Sequence, residues 1–209
     1  MSEPLELLIV EDHLAVRRGV ELLLSGAGFR IAGVAGTVRE ARGLLERRRH
    51  DVALVDVTLS DGSAIELVRD TLERDPDAPI VLYTGSGDSR TLNAAIDTGA
   101  RGFVLKSAPP AALIEALEVV ARGGTSVDSA LVEVMAESES ALAWATLSDR
   151  EQEVVELLAS GLNGEQIAER LVLSPETIKT HVRNAMLRLG ARTRAHAVAI
   201  AIRARQPPV

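Results

Sequence analysis

Residues Asp51 to Gly62, DVALVDVTLSDG, decide how this chain folds. Val52 to Val55 is a short, unbroken apolar run bounded by acids and then by a Ser-Asp-Gly turn, the pattern of a strand buried on both faces. That strand ends in Asp56. In open parallel sheets ligands bind just outside the carboxyl ends of the strands, so this carboxylate stands where chemistry is usually done.

Outward from it, apolar runs and helical periods alternate. Leu5 to Val10 reads as a strand closing on Glu11 and Asp12, and Val16, Gly19, Val20, Leu23 and Ala27 then share one helical face. Strands near Ile31 to Ala35, Val52 to Asp56, Ile80 to Tyr83 and Gly102 to Leu105 alternate with helices near Val38 to Arg48, Ala64 to Glu73, Ser89 to Thr98 and Ala111 to Arg122. Strict alternation of five strands and five helices predicts a doubly wound α/β domain on a five-stranded parallel sheet.

Right-handed crossovers put all the strand ends on one edge. Glu11, Asp12, Asp56, Thr84 and Lys106 should therefore converge. Three acids together repel one another, and a hard divalent cation such as Mg²⁺ is the natural remedy. Lys106 adds positive charge and Thr84 a hydroxyl donor, so the set suits phosphoryl transfer to a carboxylate nucleophile. His13 reads as a solvated residue opening the first helix.

The net charge of −7 conceals two unlike halves. Up to Ala145 there are 14 Lys and Arg against 23 Asp and Glu; from Thr146 on there are 9 against 7, and no acid follows Glu176. Only the tail therefore suits a polyanion. With no cysteine, disulfides and thiolate metal sites are excluded. No apolar run approaches the ~18 residues of a membrane span, so the chain is expected in the cytoplasm with no membrane partner.

Residues 123–145 read as a linker with a short helix at Leu131 to Met135 and Trp144 as a packing plug. Ser148 to Glu151 is a capping box, Asn163 to Gln166 a similar cap, and Ser174-Pro175 opens a third helix with Pro at its first position. On that helix Ile178, Val182, Ala185, Met186 and Leu189 line one face, while Thr180, Arg183 and Asn184 point away, flanked by Thr177 and Lys179. Two helices joined by a short turn, the second capped and basic, form a helix-turn-helix suited to the DNA major groove. A fourth helix from Thr193 carries Ala195, Val198, Ala199 and Ile202 on one face.

Over residues 3 to 122 the chain resembles a response-regulator receiver domain, a flavodoxin-like fold. The resemblance rests on Glu11-Asp12, Asp56, Thr84-Gly85 and the Gly-Phe-Val-Leu-Lys run from 102 to 106. It implies that Asp56 is the phosphoacceptor and that Glu11, Asp12, Asp56 and the Thr58 backbone carbonyl hold Mg²⁺. Thr84 and Lys106 would bind the phosphoryl group, and Phe103 would be the switch aromatic that turns inward as Thr84 moves. Thr58 and Ser86 flank the site and are expected to tune phosphoryl lifetime. Ser60 and Ser107 stand where receivers usually carry proline.

Residues 146 to 203 resemble the LuxR-type helix-turn-helix of NarL/FixJ regulators, through Leu147-Ser-Asp-Arg-Glu151, Ile167-Ala-Glu-Arg-Leu171, Leu173 to Val182 and Leu187-Arg-Leu-Gly190. By position Lys179, Thr180 and Arg183 would read bases or the groove, and Thr177, His181 and Asn184 would contact the DNA backbone. Glu165 replaces a residue that is basic in many relatives. Ala195, Val198, Ala199 and Ile202 would pair two protomers.

The expectation is a two-domain transcription regulator: receiver 1–122, linker 123–145, and a four-helix DNA-binding domain 146–209. Its expected partners are a sensor histidine kinase, an inverted repeat in promoter DNA, a second copy after activation, and RNA polymerase. Two rivals stand beside it. A phosphatase-like enzyme would want a carboxylate two residues after Asp56, where Thr58 stands; a phosphorylation-independent regulator would answer to a ligand or partner protein.

Overall fold

The computed structural model describes residues 3–47, 49–85, 89–136 and 143–205. Its first half runs β1 (Glu6–Val10), α1 (Leu14–Gly26), β2 (Arg30–Ala35), α2 (Val38–Glu46), β3 (Val52–Asp56), a small hairpin of β4 (Thr58–Leu59) and β5 (Gly62–Ser63), α3 (Ala64–Arg74), β6 (Ile80–Thr84), α4 (Ser89–Ile96), β7 (Gly102–Leu105) and α5 (Pro110–Ala121). Then follow β8 (Ser126–Val127), α6 (Ser129–Met135), α7 (Asp149–Ala159), α8 (Gly164–Leu171), α9 (Pro175–Leu189) and α10 (Arg194–Arg205). Among the described residues no helix is long and apolar enough to cross a membrane.

The main sheet is parallel, in the order β2-β1-β3-β6-β7-β8. The chain leaves β1 in one direction to β2 and returns on its other side through β3, β6 and β7. This reversal opens a crevice beyond the carboxyl ends of β1 and β3. All five residues of β3 are buried, which is why its sequence is continuous rather than alternating. Odd and even positions still separate: Leu7, Ile9, Val52 and Leu54 pack toward α1 and α5, whereas Leu8, Val10, Ala53 and Val55 pack toward α2 and α3.

Two elements differ from the sequence expectation. The sheet has six strands, not five, because Ser126–Val127 of the linker pairs beside Gly102 and Phe103. Two residues are too few to carry a period, so the strand had no pattern to announce it. The described part of the linker is consequently part of the structure: α6 packs on β7, α4 and α10, and the core of the first half continues through Leu131 and Met135 into Leu147, Val155, Leu189 and Ala195.

The second difference concerns α10. Ala195, Val198 and Ala199 do line up, but they are covered by this chain's own α6, α7 and α9, and Ala197, Ile200 and Ala201 are buried as well. A helix enclosed on several sides has no free stripe to offer a second copy in this arrangement. Ile202 is partly buried and packs with the cluster that includes Val154 and Ile178.

Candidate phosphoacceptor site and DNA-reading helix

Asp56, 2 % exposed, closes β3 in the crevice between β1 and β6. The Thr58 amide donates to its Oδ1 at 3.0 Å. Lys106, just past β7, reaches across two strands: its Nζ lies 2.9 Å from Asp56 Oδ2 and 2.6 Å from Glu11 Oε2. The Lys106 amide donates to the Thr84 carbonyl at 2.7 Å, which fixes where the ammonium can reach. Thus residues 45 and 95 positions from Glu11 meet at one point because three parallel strands end there.

Burial raises the Asp56 pKa, and the Glu11 charge adds to that; the Thr58 amide and Lys106 oppose it. Lys106 goes up despite its own desolvation, because Glu11 and Asp56 both favour the ammonium. Asp12 goes down although burial works the other way, through hydrogen bonding from Ser60 and the electrostatic influence of the nearby His13 imidazole. The Ser60 amide donates to Asp12 Oδ2 at 2.8 Å, so the residue standing in place of proline supplies a donor that proline lacks.

Ligand atoms of Glu11, Asp12, His13 and Asp56 lie within 4.8 Å of one another. Asp12 Oδ1 is buried without a hydrogen-bond partner, although His13 Nδ1 lies 2.8 Å away, in ion-pair range only. A buried, unsatisfied carboxylate oxygen among acids is a good fit for a hard cation with oxygen ligands. His13 is exposed, as a solvated residue would be.

Thr84 is buried at the end of β6, and among the described residues its hydroxyl makes no hydrogen bond. Phe103 is 1 % exposed, packed between the sheet and the linker helix. In this conformation the ring is already inside. Ser86 lies outside the described residues.

In the second half, α7 begins with a complete capping box: the Ser148 hydroxyl accepts from the Glu151 amide, and the Glu151 carboxylate accepts from the Ser148 amide at 2.8 Å. Asn163 and Gln166 do the same for α8. Ser174 caps α9, with Pro175 at its first position. On α9, Lys179, Thr180 and Arg183 are exposed, and Thr177, His181 and Asn184 are partly buried. The Thr180 hydroxyl donates back to the Glu176 carbonyl at 3.1 Å, leaving its methyl and lone pairs outward; the Ser174 and Thr177 hydroxyls lie 2.8 Å apart.

Sequence reasoning passed over Val172 in the turn between α8 and α9. It adopts a left-handed conformation, φ 56°, and is 90 % exposed. A β-branched residue there is strained.

A doubly wound domain with an acid-lined pocket at its switch point, joined to a capped helix-turn-helix, defines a receiver coupled to a DNA-binding output. Residues 7–118 match the response regulator receiver domain and residues 145–201 match the bacterial regulatory proteins of the luxR family. The chain is 35 % identical to the DNA-binding transcriptional activator DevR/DosR of Mycobacterium tuberculosis, covering 97 % of each chain. It is 34 % identical to the nitrate/nitrite response regulator protein NarP of Escherichia coli, covering 98 % of this chain and 97 % of that one. A structure of the RcsB response regulator of Salmonella typhimurium aligns with TM-score 0.59 at 25 % identity, covering 90 % of this chain and 93 % of that one. The chain belongs to the NarL/FixJ family of two-component response regulators and is a DNA-binding regulator of transcription.

Proposed function

We propose that Asp56 accepts a phosphoryl group from the phosphohistidine of a sensor histidine kinase, in the cytoplasm, and that this controls DNA binding by the second half. The observation that carries the reading is the Lys106 ammonium held between Asp56 and Glu11. An Asp56 oxygen attacks phosphorus, an O–P bond forms as the N–P bond breaks, and the imidazole leaves with the electron pair. Lys106 then turns its positive charge to the phosphoryl oxygens, and the Thr84 hydroxyl supplies a donor. Glu11, Asp12, Asp56 and the Thr58 carbonyl would hold Mg²⁺, which when bound neutralises the phosphoryl oxygens. Two residues after Asp56 stands Thr58, not a carboxylate that could serve as general acid, so release of phosphate as steady turnover is not expected.

Residues 1–122 are the receiver, 146–209 the DNA-binding domain, and 123–145 the coupling segment rather than a spacer. Phosphorylation moves Thr84 and repacks Phe103, which supports α6. Arg192, two residues before α10, donates to Asp97 Oδ2 at 2.7 Å and Asn93 Oδ1 at 3.3 Å at the end of α4. Repacking of α4 and β7 therefore loosens α10, whose Ala195, Val198, Ala199 and Ile202 become free to pair two copies on an inverted repeat, where RNA polymerase is met. Reversing a 1:99 equilibrium takes about 5.5 kcal/mol of differential stabilisation. Lys179, Thr180 and Arg183 read the groove, with Thr177, His181 and Asn184 toward the backbone.

Mass spectrometry after acetyl phosphate and Mg²⁺ tests the acceptor. Wild type should gain one phosphoryl group and Asp56→Asn none; equal gain by both would sink the assignment.

A further inference from the structure

The seam between the two halves contains a cavity of about 440 Å³ that the phosphorylation reading does not use. Arg101 at the foot of β7, Arg122 after α5, Lys179 of α9 and Arg194 at the start of α10 line it with Asp77 and Glu165; Arg122 also pairs with Glu118 at 3.1 Å and Lys179 with Glu176 at 3.7 Å. In a chain of net charge −7 this is a concentrated positive site.

Its charges are unevenly satisfied. Arg101 is buried and spends its guanidinium on the Gly123 carbonyl, at 3.2 Å, and on Asp77. Asp77 is 84 % exposed, so water weakens the counter-charge it supplies. Arg194 is partly buried and lines the same cavity as Arg101 and Asp77; among the described residues it donates no hydrogen bond and makes no ion pair. Burial, then the neighbouring Arg101, makes its charged form harder to hold. Two guanidiniums thus line one cavity, only one of them paired, with donors to spare. The remaining wall mixes Asn163 with apolar residues, of which Ala121 and Pro175 keep exposed surface while Leu158 and Ile178 lie buried behind them.

We infer that this seam binds a small organic phosphate, its phosphoryl oxygens on Arg101 and Arg194 and its organic body along Ala121 and Pro175. Guanidinium forks match phosphate oxygens, and the cavity is within the size range of small-ligand sites. Because Arg101 belongs to the receiver and Arg194 to the DNA-binding half, such a ligand bridges the halves and favours their closed arrangement. It also neighbours Lys179; competition between ligand and DNA follows, and that consequence alone rests on the DNA-contact reading above.

The test is isothermal titration of the full chain, without DNA or divalent metal and at matched ionic strength, with adenosine diphosphate, pyrophosphate and orthophosphate as probes. Adenosine diphosphate should bind once per chain and more tightly than pyrophosphate. Arg194→Gln should weaken it about tenfold or more, the loss expected for one charge-assisted hydrogen bond. Asp56→Asn should bind like wild type, placing the site away from the acidic pocket. Arg194→Lys keeps the charge without the fork and should fall between the two, and it serves as the readout if Arg194→Gln fails to fold. Equal affinity of wild type and the Arg194 variants, or heat reproduced by chloride alone, overturns the site; pyrophosphate binding as tightly as adenosine diphosphate overturns the organic body.

Discussion

The acidic pocket and the interdomain seam both bring charges together out of water, and they resolve the problem in opposite ways. In the pocket, Lys106 lies within 2.9 Å of two carboxylates, so burial is offset in part inside the structure itself. In the seam, Arg101 pairs with Asp77, which solvent reaches freely, and among the described residues Arg194 makes no ion pair. A buried charge with its partner built in is a poised site; one whose partner is exposed leaves affinity over for something else. The pocket is also local to one sheet edge, whereas the seam exists only while both halves are together.

The largest way to unbalance this contrast is Lys106→Met. It strands Glu11 and Asp56 as uncompensated buried carboxylates, at a cost of about 3 kcal/mol, the low end for breaking a buried pair. Chemical denaturation should show the loss, and added Mg²⁺ should recover more stability in the variant than in wild type.

Gly124→Ala attacks the other region. Here the backbone of one half lies directly on the other: a Cβ would run into the Gly161 carbonyl oxygen and the Val119 side chain. Relief by parting the halves should cost about 1–3 kcal/mol, as overpacking does. Limited proteolysis in residues 123–145 should accelerate while the acidic pocket still accepts phosphate. An unchanged cleavage rate would mean that the seam yields without opening.

Smaller effects separate stability within the DNA-binding half from both sites. Glu151 is buried, and the Ser148 amide foremost holds its carboxyl below the ordinary glutamate value of 4.5, with Arg188 assisting. Its contribution is therefore full above 4.5 and fades as pH falls through the lower folded value. Glu151→Gln should cost about 1 kcal/mol at neutral pH and flatten that acid slope, read by thermal unfolding between pH 3 and 7 on the order of a few degrees. Val172→Asn should have the opposite sign, stabilising by about 0.5–1 kcal/mol, since asparagine tolerates the left-handed conformation that valine resists.

The pocket was legible in the sequence because each of its members ends a strand. Parallel connectivity then converts order along the chain into proximity, so Glu11, Asp56, Thr84 and Lys106 could be brought together on paper. Capping boxes at Ser148 and Asn163 were readable for a similar reason, being local chemistry at fixed spacing. The seam follows no such rule. Arg101 and Arg194 are far apart in sequence, and neither Gly124 nor Gly161, φ 82°, announces that it rests on the other. Alanine is equally at home in a helix that pairs two copies and in one enclosed by its own chain, so the α10 stripe could not tell the two apart. Phe103 could be assigned to a switch by resemblance, but not its position under α6, because the two-residue strand that carries the linker across it has no period to detect.

Finally, α10 has a consequence for how the molecule is made. It is translated after every element it covers, so until it leaves the ribosome the apolar sides of α6 and α7 have no lid. At about 5–20 residues per second the receiver sheet has several seconds to form first, while those surfaces wait for the closing helix. A nascent chain stalled before Arg194 would carry a folded receiver together with an open, sticky flank, and so would be a natural client for chaperones.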